Sequence, residues 1–176
     1  MSILSKKICL IGESGVGKNS LIRRFGEWHF SDEYLSTIGV NISRKTLELP
    51  GLKHQDKLYL QLLIWSVTGH SQFKAIAPSY LRGSSGALAV ADVSRPETIE
   101  QLPEHIQLFL SINPKGFILI ALNKSDLISE DQLTPLIQRV QLQRWEGVSG
   151  IYKTSAKTGL SVNEIFQQSA YRSLES

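Results

Sequence analysis

The stretch Gly12-Glu13-Ser14-Gly15-Val16-Gly17-Lys18-Asn19-Ser20 limits what this chain can fold into more than any other. It is a glycine-rich turn between the apolar run Ile8-Cys9-Leu10-Ile11 and an amphipathic stretch that begins near Lys18. Glycines at such a turn let backbone N–H groups point inward around phosphate oxygens, and the positive N-terminal end of the following helix adds to them. Lys18 reaches the outer phosphates as a point charge. The turn therefore looks like a phosphate-binding loop with one departure. The residue after the lysine is ordinarily Ser or Thr, whose hydroxyl coordinates Mg²⁺, and here it is Asn19. A carboxamide is longer, and its oxygen cannot take the hydroxyl's place beside a metal without displacing something. The competing reading is an ordinary strand-to-helix turn.

Length and charge exclude several classes. A chain of 176 residues is the size of one domain and can bury a sizeable core. Its 19 basic and 16 acidic side chains leave a net charge of +3, spread too evenly for a nucleic-acid partner to be expected. The single cysteine, Cys9, lies in an apolar strand pattern, so neither a disulfide framework nor a cysteine metal cluster is expected. No apolar run approaches a membrane span or the core of a signal peptide. Residue 2 is Ser, and the last residues, Arg172-Ser173-Leu174-Glu175-Ser176, hold no cysteine. The expectation is a cytoplasmic monomer without a lipid anchor of its own.

In chain order, Lys6 to Ile11 reads as a buried strand, and Lys18 to about Glu27 as a helix with Leu21, Ile22 and Phe25 on one face. Phe30 to Gly39 reads as a loop. Val40 to Leu49 and Leu58 to Trp65, joined at Pro50-Gly51, read as an antiparallel hairpin. Ser66 to about Pro78 is weakly patterned. Gly86–Asp92 and Phe117–Leu122 are continuous apolar strands, with a helix from Pro96 to about Ile112 between them. A helix from Ser129 to about Trp145 opens with Ser129 and Gln132 at capping-box spacing, a short strand covers Ile151–Thr154, and a last helix runs through Tyr171. This alternation predicts an α/β sandwich with a mostly parallel central sheet, whose ligands sit beyond the carboxyl ends of the strands.

Further motifs fall on that edge. In Asn123-Lys124-Ser125-Asp126, a carboxylate fixed in a strand-end loop accepts two hydrogen bonds at once from the N1–H and exocyclic amine of guanine, a donor pair that adenine lacks. Asn123 is placed to bridge loops, and the Lys124 stem to lie over base or ribose. In Thr154-Ser155-Ala156-Lys157, a backbone N–H near Ala156 is placed to meet the guanine carbonyl oxygen. Taken singly, either motif also reads as a plain polar turn.

With these motifs in order, the chain resembles a Ras-superfamily small GTPase of the Rab-like branch, over essentially its whole length. The motifs are Gly12-x4-Gly17-Lys18, Ser36-Thr37-Ile38-Gly39, Trp65-x3-Gly69, Asn123-Lys124-x-Asp126 and Thr154-Ser155-Ala156-Lys157. The resemblance implies a single G domain over residues 1–176, with a mostly parallel six-stranded sheet flanked by helices on both faces. It implies GTP or GDP as ligand, held by Gly15, Val16, Gly17, Lys18, Asn19 and Ser20 at the phosphates. Phe30, Asn123, Lys124, Asp126, Ser155, Ala156 and Lys157 would hold the base. Thr37 and Asn19 would meet Mg²⁺. Gly69 would meet the γ-phosphate, and Lys18, Thr37, Gly69 and His70 would serve hydrolysis. Phe30–Gly39 and roughly Ser66–Tyr80 would be the nucleotide-sensitive switches. Ile42, Trp65 and Tyr80 match the triad shown to effector proteins, with burial in the core as the alternative.

The chain also departs from the family. Where the second switch ordinarily begins Asp-x-x-Gly-Gln, it has Ser66-Val67-Thr68-Gly69-His70. Ser66 brings no charge to a metal, and His70 differs from Gln in reach and protonation. With Asn19, the changes fall on metal and hydrolysis positions and spare base recognition. The expected function is a guanine-nucleotide switch with weak Mg²⁺ coupling and slow hydrolysis. The alternative is a GDP-biased or nucleotide-free relative that acts as an interaction scaffold. An ATP-dependent phosphate-loop enzyme is disfavoured by Asp126.

Overall fold

A strand whose residues are all apolar cannot leave either face in water, and the two such runs in this chain lie inside the sheet. The computed structural model describes residues 3–26, 31–35, 40–51, 57–67, 78–143 and 147–175. Its strands are β1 (Ile3–Ile11), β2 (Ser31–Leu35), β3 (Val40–Pro50), β4 (Lys57–Val67), β5 (Gly86–Asp92), β6 (Phe117–Asn123) and β7 (Val148–Lys153). Its helices are α1 (Lys18–Phe25), α2 (Pro96–Glu100), α3 (Leu102–Ile112), α4 (Glu130–Leu142) and α5 (Val162–Glu175). Every residue of β5 and β6 is buried.

The strands form one seven-stranded sheet in the order β2-β3-β4-β1-β5-β6-β7. β1 runs parallel to β4 and β5, and β5, β6 and β7 are parallel in turn. β2 and β3 are antiparallel, as are β3 and β4. The α/β architecture with a mostly parallel sheet is the expected one, with one strand more than six. The added strand is β2, which falls in a stretch read as loop. It pairs antiparallel with the edge of β3, Glu33 opposite Ile42. Such an edge strand needs no apolar alternation, so periodicity carries no trace of it.

Helices cover both faces, and alternate residues of each strand supply the two sides. Cys9 and Ile11 join Ala87, Ala89, Ala91, Ile118 and Ile120 in the core beneath α2, α3 and α4. Ile8 and Leu10 join Leu88, Val90, Leu119 and the apolar faces of α1 and α5 on the other side. There Phe25 and Phe166 stack with centroids 4.3 Å apart and planes 12° from parallel. The helix expected from Pro96 to Ile112 is two. Pro103 removes a backbone donor and its ring crowds the carbonyl of Ile99, so the chain restarts at Leu102 with proline in the tolerated first turn. α4 carries the expected capping box, with Ser129 accepting from the Gln132 amide and Gln132 Oε1 from that of Ser129.

This stacking sets a prediction. Phe166 is fully buried and Tyr171, five residues on in the same helix, is 40% exposed. Phe166→Ala is expected to cost about 3–5 kcal/mol of stability, and Tyr171→Ala under about 1 kcal/mol, by urea denaturation.

Candidate functional site

The carboxyl ends of β1, β5, β6 and β7 reach one edge, since Ile11 pairs with Ala89, Asp92 with Asn123 and Leu122 with Lys153. The turn after β1 crosses this edge and ends at Gly17, which caps α1 in a left-handed conformation with φ of +103°. Lys18 folds back beneath it, its Nζ donating to the carbonyls of Gly12 at 2.7 Å and Glu13 at 3.2 Å. Burial pushes the Lys18 pKa down to about 8, against the opposing charge of Glu13.

The outer side of the turn is held residue by residue. His105 Nε2 of α3 lies 2.8 Å from Glu13 Oε1. Arg95 Nη2 donates to the Ser14 carbonyl at 2.8 Å, Lys124 Nζ to that of Gly15 at 2.8 Å, and Asn123 Nδ2 to that of Val16 at 3.0 Å. Asn123 is 1% exposed and also accepts from Thr154 Oγ1 at 3.0 Å, so it ties three loops together. Lys124 takes φ of +61°, which turns the chain into the short 3₁₀ helix Ser125–Leu127. Ser155 Oγ donates to Asp126 Oδ1 at 2.7 Å. That bond orients the carboxylate and leaves its second oxygen for other donors.

A cavity of about 530 Å³ opens between these loops. Gly17 and Ser20 line it from the phosphate-loop side, and Asn123, Lys124, Asp126, Ala156 and Lys157 from the other. It is thus bounded by both expected motif groups. Arg23 and Arg24 of α1 line it too, and neither was singled out in the sequence; Arg24 Nη2 donates to the Thr158 carbonyl at 3.2 Å. Asp92, Arg95 and His105 were likewise missed. Of these, Asp92 carried a signal: it is the one charged residue closing an otherwise apolar strand at the ligand edge.

The expected metal and hydrolysis positions are only partly described. Phe30, Thr37, Gly69 and His70 lie outside the described residues, as do the Ser36–Gly39 motif and residues 68–77 of the second switch. Ser66, expected to open that switch, is instead inside β4, paired with Asn41 and Leu10. Asn19 Oδ1 and Ser66 Oγ are both buried without a hydrogen-bond partner among the described residues. Mg²⁺ takes oxygen donors in octahedral array and is usually held by one or two carboxylates plus substrate phosphates. Two unpartnered oxygens fit such an ion in donor type. Neither carries charge, so the fit is to an ion shared with, and held mainly by, a phosphate ligand.

Of the expected effector triad, Ile42 and Trp65 are cross-strand partners and Trp65 and Tyr80 rings meet at 6.2 Å. Tyr80 is 2% exposed, its hydroxyl 2.7 Å from the Trp65 carbonyl oxygen and 2.9 Å from that of Leu10. Ile42 is buried as well, and Trp65 is half-buried with Lys7 Nζ 3.8 Å from its ring centroid. In this conformation Ile42 and Tyr80 belong to the core.

Comparison with known proteins bears on the whole chain. The family model described as the Ras family matches residues 7–175. The chain belongs to the Ras family. Human Ras-related protein Rab-22A is 33% identical over 168 residues, covering 94% of this chain and 82% of the relative. Ras-related protein Rab-31 of Rattus norvegicus is 32% identical over 168 residues, covering 95% and 82%. Ras-related protein Rab-13 of Canis lupus familiaris is 32% identical over 165 residues, covering 93% and 77%. As a Ras-family chain similar to Rab proteins, it has the fold of a guanine-nucleotide-binding GTPase family. None of the described helices is long and apolar enough to cross a membrane.

The Gly17 turn of this Ras-family loop can be tested directly. A Cβ there would stand 2.3 Å from Asn123 Nδ2, whereas one on Gly83, also at positive φ, would meet nothing within 4 Å. Gly17→Ala is expected to destabilise by at least about 1 kcal/mol more than Gly83→Ala, which meets backbone strain alone. Equal urea midpoints for the two variants would contradict that contact.

Proposed function

We propose that the chain is a single G domain that binds GTP and GDP through the 530 Å³ cavity and acts as a Rab-like switch with slow hydrolysis of GTP to GDP and phosphate. The observation that carries this reading is the Ser155–Asp126 bond, which presents a fixed carboxylate inside a cavity whose other wall is Gly17 and Ser20. A carboxylate so held accepts the donor pair of guanine and repels the N1 lone pair of adenine. Ala156 leaves room beside it for the base carbonyl, and the Lys124 stem is placed to cover a base face. Amides of Gly15, Val16, Gly17, Lys18 and Asn19, with Ser20, receive the phosphates.

Mg²⁺, when bound with the nucleotide, neutralises phosphate charge during transfer. On this chain Asn19 Oδ1, Ser66 Oγ and Thr37 are the groups that would hold it. Lys18 holds the charge that grows on the phosphate oxygens, the Gly69 amide meets the γ-phosphate, and His70 orients water. Neutral Asn19 and Ser66 in place of a hydroxyl and a carboxylate support weak metal coupling and slow turnover. The same substitutions support a second reading, a GDP-biased or nucleotide-free scaffold. In either, regulators or effectors meet the surface around Trp65, with Ile42 and Tyr80 supporting it from the core; no nucleic acid is involved.

Equilibrium binding to nucleotide-stripped protein tests both readings. GDP and GTP are expected to bind at least about a thousandfold tighter than ATP, and chelation of Mg²⁺ is expected to weaken them by less than about tenfold. Asn19→Ser with Ser66→Asp is expected to raise that metal dependence. Absence of guanine-nucleotide binding would favour the scaffold.

The depressed Lys18 pKa adds a pH signature. A bound anion raises it, so binding takes up a proton wherever free Lys18 has lost one. Well below pH 8 the amine is already charged and affinity is flat. From pH 7 to 8.5, GDP affinity is expected to fall about fourfold, with proton uptake seen by calorimetry in buffers of different ionisation enthalpy.

A further inference from the structure

Asp92 ends β5 with its side chain 2% exposed, and a carboxylate that deep requires partners. Ser94 supplies its amide at 2.9 Å and its hydroxyl at 2.6 Å to Oδ1. Arg95 Nε at 3.2 Å and Lys124 Nζ at 3.0 Å meet Oδ2. Neither cation ends there, because Arg95 Nη2 also holds the Ser14 carbonyl and Lys124 Nζ the Gly15 carbonyl. One buried anion thus fixes two cations, and each fixes a consecutive carbonyl of the phosphate loop.

The consequence follows from peptide geometry. Across a trans peptide plane the C=O of one residue and the N–H of the next point in opposite directions. Pulling the Ser14 carbonyl outward onto Arg95 therefore aims the Gly15 N–H inward, and pulling the Gly15 carbonyl onto Lys124 aims the Val16 N–H. We propose that Asp92 and Arg95 are positioning residues that preorganise the phosphate loop, holding its amides in the anion-binding direction before a nucleotide arrives. Gly15 belongs to the device: its φ is +76°, and a Cβ there would lie 3.3 Å from Arg95 Nη2. The bracket also leaves the pair of cations one positive charge in excess of Asp92 behind the loop. Fixed dipoles and charges of this kind raise affinity by removing reorganisation from the binding step.

This inference rests on the nucleotide reading above. Arg95 is 40% exposed at its side chain and can be changed without opening the core. The test is stopped-flow release of GDP and of IDP, which lacks the exocyclic amine, from the full chain and from Arg95→Gln. Expected is release about tenfold faster for both nucleotides, with the GDP-to-IDP affinity ratio unchanged within about twofold and the melting midpoint nearly constant. Asp92→Asn is expected to act in the same direction, and the double variant to lose no more than the stronger single one. If Asp92→Asn does not fold, Arg95→Gln decides alone. Unaltered release from Arg95→Gln, a changed GDP-to-IDP ratio, or additive losses would overturn the inference. Failure of the unaltered chain to bind GDP at all would overturn the nucleotide reading and this inference with it.

Discussion

Burial of β1 on both faces is the constraint from which the site is built. Ile8, Cys9, Leu10 and Ile11 are all within 1% of complete burial, with Cys9 and Ile11 in one core and Ile8 and Leu10 in the other. A strand held this way, with β4 on one side and β5 on the other, has no freedom of register: a slip by one residue would exchange the contents of both cores. Its last residue therefore fixes where the glycine-rich turn begins. α1, anchored by Leu21, Ile22 and the Phe25–Phe166 stack, fixes where it ends. The loop is a span of chain between two immovable points, and its glycines permit the left-handed turns that so short a path demands.

The parts of this arrangement that were legible in the sequence are those written in local pattern. β5 and β6 announced themselves as unbroken apolar runs, and Ser129 with Gln132 fixed the start of α4 by a local bond. What pattern could not carry was pairing. β2 exists because β3 offers an edge, and nothing in Ser31–Leu35 itself demands a strand. Arg95 and His105 look like ordinary solvated charges along the chain; only the packing of α2 and α3 against β5 brings them to Ser14 and Glu13. Tyr80 matched a motif position associated with a binding face, yet its hydroxyl is engaged by the carbonyls at the ends of β1 and β4. A motif position fixes where a side chain starts, whereas its exposure depends on neighbours distant in sequence.

Charge is distributed unevenly over the site, and the imbalance has a physical sense. Lys18, Lys124 and Arg95 surround the phosphate loop, while Asn19 and Ser66, at the positions expected to serve a metal, are neutral and have no hydrogen-bond partner among the described residues. Removing a carboxylate from beside a bound phosphate removes a repulsion as well as a metal ligand, and the two losses act oppositely on affinity. If Mg²⁺ is bound, the missing ligand would cost affinity; without the ion, a site lacking the carboxylate would repel a bare diphosphate less. The cations fixed behind the loop act in the same direction. A loop whose amides are already aimed and whose surroundings are already cationic depends less on a metal to gather phosphate, but gains less from one when charge shifts toward the leaving group. On this argument the proposed retention of nucleotide and the proposed slow hydrolysis would share one electrostatic origin, the transfer of phosphate neutralisation from a mobile divalent ion to side chains that the fold holds still.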